Sequence, residues 1–281
     1  MCSRKDITIP VQPWFRDHHF NGLVIFPAVE IMLLLASIAS KKNAAIHPET
    51  MIRASFSKFL EIPEKTTELS ALVEYEENGD DLCVRLLSRI QFKKISRIKK
   101  HAEITFSTHS LKKHSAGKQA IAKKADISID AEQIYRELVP FGPTYRSLSG
   151  KLHISNKAAL GTLQSPVLPQ QQRMEKKLGS PFPLDGAMHA ACVLGQCISD
   201  FVPFPVGFAR RHIHKPTRPG KSYNTVVTPV SQTKDELLFD ISIFDSAGTV
   251  YETVTDLRMR DISGGTITPP AELPRLTFFP Q

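Results

Sequence analysis

The sequence predicts an α+β fold in which antiparallel strands wrap two buried helices, and three observations carry that expectation. Two apolar stretches open at a proline, each is followed at a distance by a hairpin, and the two halves of the chain repeat this order. Residues 27–40 (PAVEIMLLLASIAS) are apolar on nearly every face, as in a helix buried all round. Proline suits the first turn because its missing N–H would be unpaired there anyway. Residues 70–76 and 82–89 flank Asn78-Gly79, a strong hairpin signal. Residues 183–199 (PLDGAMHAACVLGQCIS) predict a second buried helix, with Gly186, Ala187, Ala190 and Ala191 permitting close packing. Residues 237–244 and 250–260 then flank Ser246-Ala247-Gly248. The duplication is one of element order, because no sequence repeat survives.

These elements divide the chain into a first unit over 1–110, a basic linker over 111–125, a second unit over 126–262 and a Pro-rich tail over 263–281. In the tail, Phe278-Phe279 is expected to dock on the body. A chain of 281 residues, 41% hydrophobic and 23% charged, can bury a large core without staples, which excludes a wholly disordered chain. The four cysteines (Cys2, Cys83, Cys192, Cys197) lack zinc-type spacing and read as reduced, buried thiols. The most apolar run, 23–37, contains Pro27 and Glu30 and is too short to span a bilayer. With no export leader, a soluble cytoplasmic protein is expected.

Charge is uneven. Residues 89–124 hold eleven Lys/Arg and one acid, Glu103, a local charge of +10 against −2 for the remainder. Such a strip suits an anionic partner, an acidic protein domain or a nucleic acid, and also suits a plain solvated face. It lacks the aromatic interleaving of a single-strand binder and has no helix-turn-helix or zinc-finger pattern beside it.

Three constellations carry candidate chemistry. The first is 14–22, WFRDHHFNG, just before Pro27. A histidine so close to a fully apolar helix stays near the core, and Gly22 lets the chain turn or approach a neighbour closely. His18 would then stand beside helix N-terminal N–H groups, as a base next to an oxyanion site, or simply be a hydrogen-bonded loop residue. The second is Asp185 with His189, at i, i+4 on one face of the second helix. An acid in so apolar a run needs a partner or a task, unless Asp185 merely caps the first turn. The third is Phe141-Gly142-Pro143-Thr144-Tyr145, a rigid turn that holds two rings and is suited to walling an acyl pocket.

Taken together, these residues resemble the polyketide synthase dehydratase family. His18, Gly22 and Pro27 match its HxxxGxxxxP motif, with Trp14 and Asp17 in the lead-in, and Asp185 and His189 match its DxxxQ/H motif. Residues 141–145 resemble its YGPxF turn, and Phe204-Pro205 to His212 its late LPF…H stretch. The resemblance implies a double hotdog, two tandem folds each with a sheet wrapped round a helix. It implies that His18 is the base and Asp185 the acid, with His189, Gly22 and Pro27 in support and Phe141, Gly142, Pro143 and Tyr145 at the pocket. The implied reaction removes water from a 3-hydroxyacyl thioester on an acyl carrier protein, with no cofactor or metal, the substrate riding on the carrier's phosphopantetheine. Carrier proteins are acidic, which would give the basic strip its partner and leave nucleic acid without a role, and a homodimer through the first hotdog is also implied. Three positions depart from the pattern: Ala28 follows the motif proline in place of Gly, Phe141 lacks the usual hydroxyl, and Tyr145 stands for Phe.

Other readings share these residues. A product-template-type cyclase or a double-bond isomerase would use His18 on a longer chain. A hotdog thioesterase fits the distant Asp185 less well. A non-catalytic acyl-carrier-binding module would keep the fold and lose nothing with His18 or Asp185. A nucleic-acid binder would rest on the basic strip alone.

Overall fold

The computed structural model describes residues 2–92, 95–109, 125–155, 157–169 and 173–277. In the first half these form β1 (Cys2–Pro10), β2 (His19–Phe20), β3 (Leu23–Val24), α1 (Ala28–Lys42), β4 (Thr50–Phe56), β5 (Glu68–Asn78), β6 (Asp81–Phe92) and β7 (Ile95–Ser107). The second half begins with β8 (Ile127–Asp130), α2 (Ala131–Gln133), β9 (Leu148–Ile154), β10 (Ala159–Gln164) and α3 (Arg173–Leu178). It ends with α4 (Phe182–Ile198), β11 (Phe204–Ile213), β12 (Ser222–Gln232), β13 (Glu236–Phe244) and β14 (Val250–Arg260).

Both apolar stretches are the helices their patterns predict. Pro27 precedes α1, and its carbonyl accepts the N–H groups of Glu30 and Ile31. Lys41 and Lys42 in the last turn complement the helix dipole. Met32, Leu35, Ala36 and Ala39 have no exposure, packed against β6 and β7. Helix α4 is buried along its whole length, under β9, β10, β12 and β13. It starts one residue before the proline expected to open it, because Pro181 supplies the entry and Pro183 falls inside the first turn.

The strands form one antiparallel sheet in the order β1-β5-β6-β7-β4-β11-β14-β13-β12-β10-β9-β8. Where element order suggests two sheets, β4 and β11 pair edge to edge and make them continuous. Thr50 lies opposite His212, Met51 opposite Arg211 and Ile52 opposite Arg210. Beneath this seam Arg211 donates to both carboxylate oxygens of Glu252, at 2.6 and 3.2 Å, with both residues 2% exposed. The Arg211 Nη1 lies 3.4 Å from the sulfur of Met32, which ties α1 to the seam. His212 from the late motif stretch serves the seam as well, its Nδ1 2.8 Å from Thr50 Oγ1.

The β6–β7 hairpin extends past its neighbours. Pairing of β6 with β5 stops at Leu87, and pairing of β7 with β4 stops at Ala102. Beyond these points the two strands pair only with each other as far as Phe92 and Ile95, among the described residues. This projecting ribbon carries Arg89, Arg97, Lys99 and Lys100. The remaining basic residues at 93, 94, 112, 113, 118, 123 and 124 lie outside the described residues, as do nearly all of the predicted linker and Phe278-Phe279. Up to Thr277 the tail has neither helix nor strand. It closes the C-terminal end of α4, where Leu276 N–H donates to Cys197 O at 2.8 Å and Arg275 to Gln196 O at 3.1 Å. Cys83, Cys192 and Cys197 are free and buried. Among the described residues no helix is long and apolar enough to cross a membrane.

Candidate active site

The loop before α1 is anchored by its aromatic residues. Trp14 and Phe15 are 8% and 2% exposed in a tight turn over Pro13–Asp17, and Phe15 meets Phe26 edge to face at 5.2 Å. The chain then doubles back through β2 and β3. Asn21 and Gly22 both take positive φ, 48° and 77°, which a two-residue hairpin requires and glycine supplies without strain. Gly22 is exposed, and a side chain there would meet nothing within 4 Å. Of the two uses open to Gly22, the turn is therefore the one observed, and close approach is not.

This reversal brings the carbonyl of Ile25 to 3.1 Å from His18 Nδ1. A carbonyl only accepts, so Nδ1 carries the proton and Nε2 keeps its lone pair. The imidazole stacks on Phe141 at 4.4 Å and 18°, and meets Tyr145 edge-on at 5.1 Å. Burial among these rings lowers the His18 pKa to about 4; the negative charge of Asp185 works against this and His189 works with it.

Asp17 fastens the aromatic turn to this loop. Its backbone carbonyl accepts Gly142 N–H at 2.7 Å and its Oδ2 accepts Thr144 N–H at 2.9 Å. Gly142 presses so closely on Asp17 that an added Cβ would lie 2.6 Å from Oδ1. Pro143 starts the short turn that swings Tyr145 inward, where its ring has no exposure and its hydroxyl has no hydrogen-bond partner among the described residues. Burial pushes that phenol well above the usual range.

The acid stands on α4. Asp185 and His189 are each 5% exposed, with Asp185 Oδ2 3.1 Å from His189 Nε2. That contact lacks hydrogen-bond alignment, and Oδ2 has no hydrogen-bond partner among the described residues. Asp185 is not a cap, since Pro181 holds the cap position and no side chain caps the helix. His189 is oriented from its other nitrogen. Leu148 N–H donates to Tyr135 Oη at 2.7 Å, which leaves the phenol proton for His189 Nδ1 at 3.2 Å. His189 then carries its own proton on Nε2, 3.1 Å from Asp185 Oδ2 but not aligned with it.

Phe141 completes the arrangement by lying between the two histidines, 4.9 Å from His189 on one side and against His18 on the other. His18, Phe141, Tyr145, Asp185 and His189 thus converge, with Gly142 and Pro143 in the supporting turn. Pro27 acts one step away, through the start of α1. A cleft of about 420 Å³ opens alongside, lined by Gln12, Pro13, Trp14, Asp17, Thr144, Leu168 and Pro169, on the outer side of the Asp17 contact. None of His18, Asp185 or His189 lines it.

Sequence reasoning missed Tyr135 and the work of Asp17. Tyr135 sits on a five-residue π turn over Ile134–Leu138, closed by Val139 N–H on Ile134 O at 2.8 Å. Such turns cluster at functional sites, but nothing in the sequence marks one here. Asp17 carried a signal in its adjacency to His18, without any indication of what it would hold.

A profile described as "Polyketide synthase dehydratase N-terminal domain" matches residues 113–266, more than half of the chain. The chain belongs to that dehydratase family. The matched stretch includes Asp185, His189 and the 141–145 turn. Solved dehydratase structures extend the likeness over nearly the whole chain. The dehydratase domain from the CurF module of curacin polyketide synthase shares 19% identity at a TM-score of 0.71, covering 92% of each chain. A trans-AT polyketide synthase dehydratase domain from Brevibacillus brevis shares 17% at 0.69, covering 93% of this chain and 94% of its own. A bifunctional dehydratase-cyclase domain from ambruticin biosynthesis shares 16% at 0.67, covering 92% of this chain and 91% of its own. No curated protein matches the sequence. At these identities the likeness speaks for the fold, which is the family's double hotdog, here drawn into one sheet by the β4–β11 seam.

Proposed function

We propose that this dehydratase-family chain removes water from a 3-hydroxyacyl thioester carried by an acyl carrier protein. The first hotdog, over 1–110, supplies the base His18, and the second, over 126–262, supplies the acid Asp185. The observation that most supports this reading is the state of His18. The imidazole stays neutral down to about pH 4, its Nδ1 proton is committed to Ile25, and Asp185 lies within electrostatic reach of it.

In the reaction Nε2 of His18 takes the α-proton. The electrons of that C–H bond form the new double bond as the β-carbon loses its hydroxyl, and Asp185 protonates the departing oxygen, which leaves as water. Backbone N–H groups at the start of α1 would receive charge building on the thioester oxygen. The step leaves His18 protonated and Asp185 ionised, opposite charges that attract strongly in a dry site. Passing the proton from His18 back to Asp185 resets the pair. Only protons move, so the reaction asks for no cofactor beyond the carrier's own arm. The β6–β7 ribbon with Arg89, Arg97, Lys99 and Lys100 is the surface we infer for an acidic carrier.

A panel of 3-hydroxyacyl thioesters, on carrier and on a pantetheine mimic, tests this by mass spectrometry. Loss of one water with wild type, abolished in His18→Ala and in Asp185→Asn, is the expected result. A product isomeric with the substrate would favour the cyclase or isomerase reading, and an inert wild type that binds carrier would favour a binding module. Reversing Lys99 and Lys100 to Glu should raise KM for carrier-borne substrate and leave the mimic unaffected.

A further inference from the structure

The base and the ring stacked on it come from different halves of the chain, and one residue joins them. Asp17 grips the 141–145 turn at two points, through its carbonyl to Gly142 N–H and its carboxylate to Thr144 N–H. The two grips fall on either side of Pro143, so the turn cannot pivot about one bond. Its two ends carry Phe141, flat against His18, and Tyr145, edge-on to it. The grip is also a steric fit, because the space a Cβ of residue 142 would need is filled by the Asp17 side chain.

We propose that Asp17 is a positioning residue for the base: by holding the Gly142–Thr144 turn on the His18 loop, it keeps Phe141 and Tyr145 closed over the imidazole. The inference rests on the reading of His18 as the base, and extends it to the residue that keeps the ring half-buried. Without the grip the turn relaxes outward, water reaches the ring, and Nε2 loses its fixed direction. Misplacement of a reacting group by about 1 Å costs on the order of a hundredfold in rate. The charged groups that act on His18 are Asp185 and His189 from α4; Asp17 precedes it in the same loop, and the Tyr145 ring from the turn meets it edge-on.

The test separates position from charge. Removing the Asp17 carboxylate takes away a nearby negative charge, which alone would lower the His18 pKa further. Opening the site to water would raise it toward 6.5. Histidine NMR titration of Asp17→Ala should therefore show His18 rising, with kcat down about 10–100-fold and KM within about threefold. Asp17→Asn keeps an oxygen for Thr144 N–H and should restore most of both properties. Gly142→Ala should mimic Asp17→Ala in the wild-type background and cost little further in the Asp17→Ala background, where the methyl has room.

A His18 pKa that stays at or below about 4 in Asp17→Ala, with kcat within twofold, would overturn the proposal. So would equal costs of Gly142→Ala in both backgrounds. Should Asp17→Ala not fold, Asp17→Asn and Gly142→Ala carry the same comparison, which fails if Gly142→Ala leaves His18 unmoved. The titration does not depend on turnover, so an inactive wild type would count against the dehydratase reading while the positioning of His18 was still decided.

Discussion

Two acid–base pairs are buried equally deeply in this molecule and are treated in opposite ways. At the seam, Arg211 and Glu252 meet through two aligned hydrogen bonds, and sulfur atoms of Met32 and Met51 flank the guanidinium. On α4, Asp185 and His189 come within 3.1 Å without alignment, and one carboxylate oxygen has no hydrogen-bond partner among the described residues. A buried charge that is fully paired gives specificity and asks nothing more of its surroundings. A buried carboxyl oxygen without a partner is costly to keep, and an incoming hydroxyl would satisfy it. Equal burial therefore does not distinguish a fully satisfied pair from one with an oxygen left open; hydrogen-bond alignment does.

The comparison is broken most severely at the seam. Arg211→Met strands Glu252 in the core and should cost about 3–5 kcal/mol in urea unfolding, whereas Arg211→Met with Glu252→Leu should recover most of that loss. Asp185→Asn, by contrast, should leave the urea midpoint unchanged or slightly higher while activity falls. A large loss of stability there would place Asp185 with the structural pair.

The next largest effect follows from His18. Its folded pKa, about 4, lies below the ordinary 6.5, so the unfolded chain binds the proton first as the pH drops. Stability contributed by the neutral ring is complete above pH 6.5 and is lost progressively as pH falls from 6.5 to about 4, by up to about 3 kcal/mol. The acid limb of kcat/KM should correspondingly lie near pH 4 rather than 6.5. Thermal melts and pH–rate profiles of wild type against His18→Ala measure the two effects separately.

Tyr135→Phe is the mildest change. It removes the bridge between Leu148 N–H and His189 and should cost about 1–2 kcal/mol. Because His189 loses its fixed tautomer, kcat should fall about tenfold with KM nearly constant, a split that a purely structural role would not produce.

Much of this fold is legible in the sequence. The two helices declared themselves because a helix buried on all faces must be apolar on all faces, a pattern 27–40 and 183–199 carry without ambiguity. The first hairpin was legible because a two-residue turn has few permitted residues: Asn78-Gly79 marks it, and the loop itself is Gly79-Asp80, one residue on, with Gly79 at φ 63°. His18, Asp185 and His189 stood out as polar residues in apolar settings, and their motif spacing joined them. What stayed hidden depends on distant pairing. The seam joins strands whose own sequences do not specify a neighbour. Tyr135 acts across the fold on His189, and the grip of Asp17 is on backbone N–H groups that any residue but proline would offer.

The seam also has a kinetic side. Residues 50–56 must find residues 204–213, a separation of roughly 150 positions, and contacts so distant in sequence close slowly. Until they meet, β4 and β11 present bare edges able to pair with other chains. Refolding at high concentration should lose material to aggregation at this step, and a fragment ending within the first half should be sticky on the β4 side. Continuity of the sheet, which braces the finished molecule, leaves two edges at risk for as long as the halves stay apart.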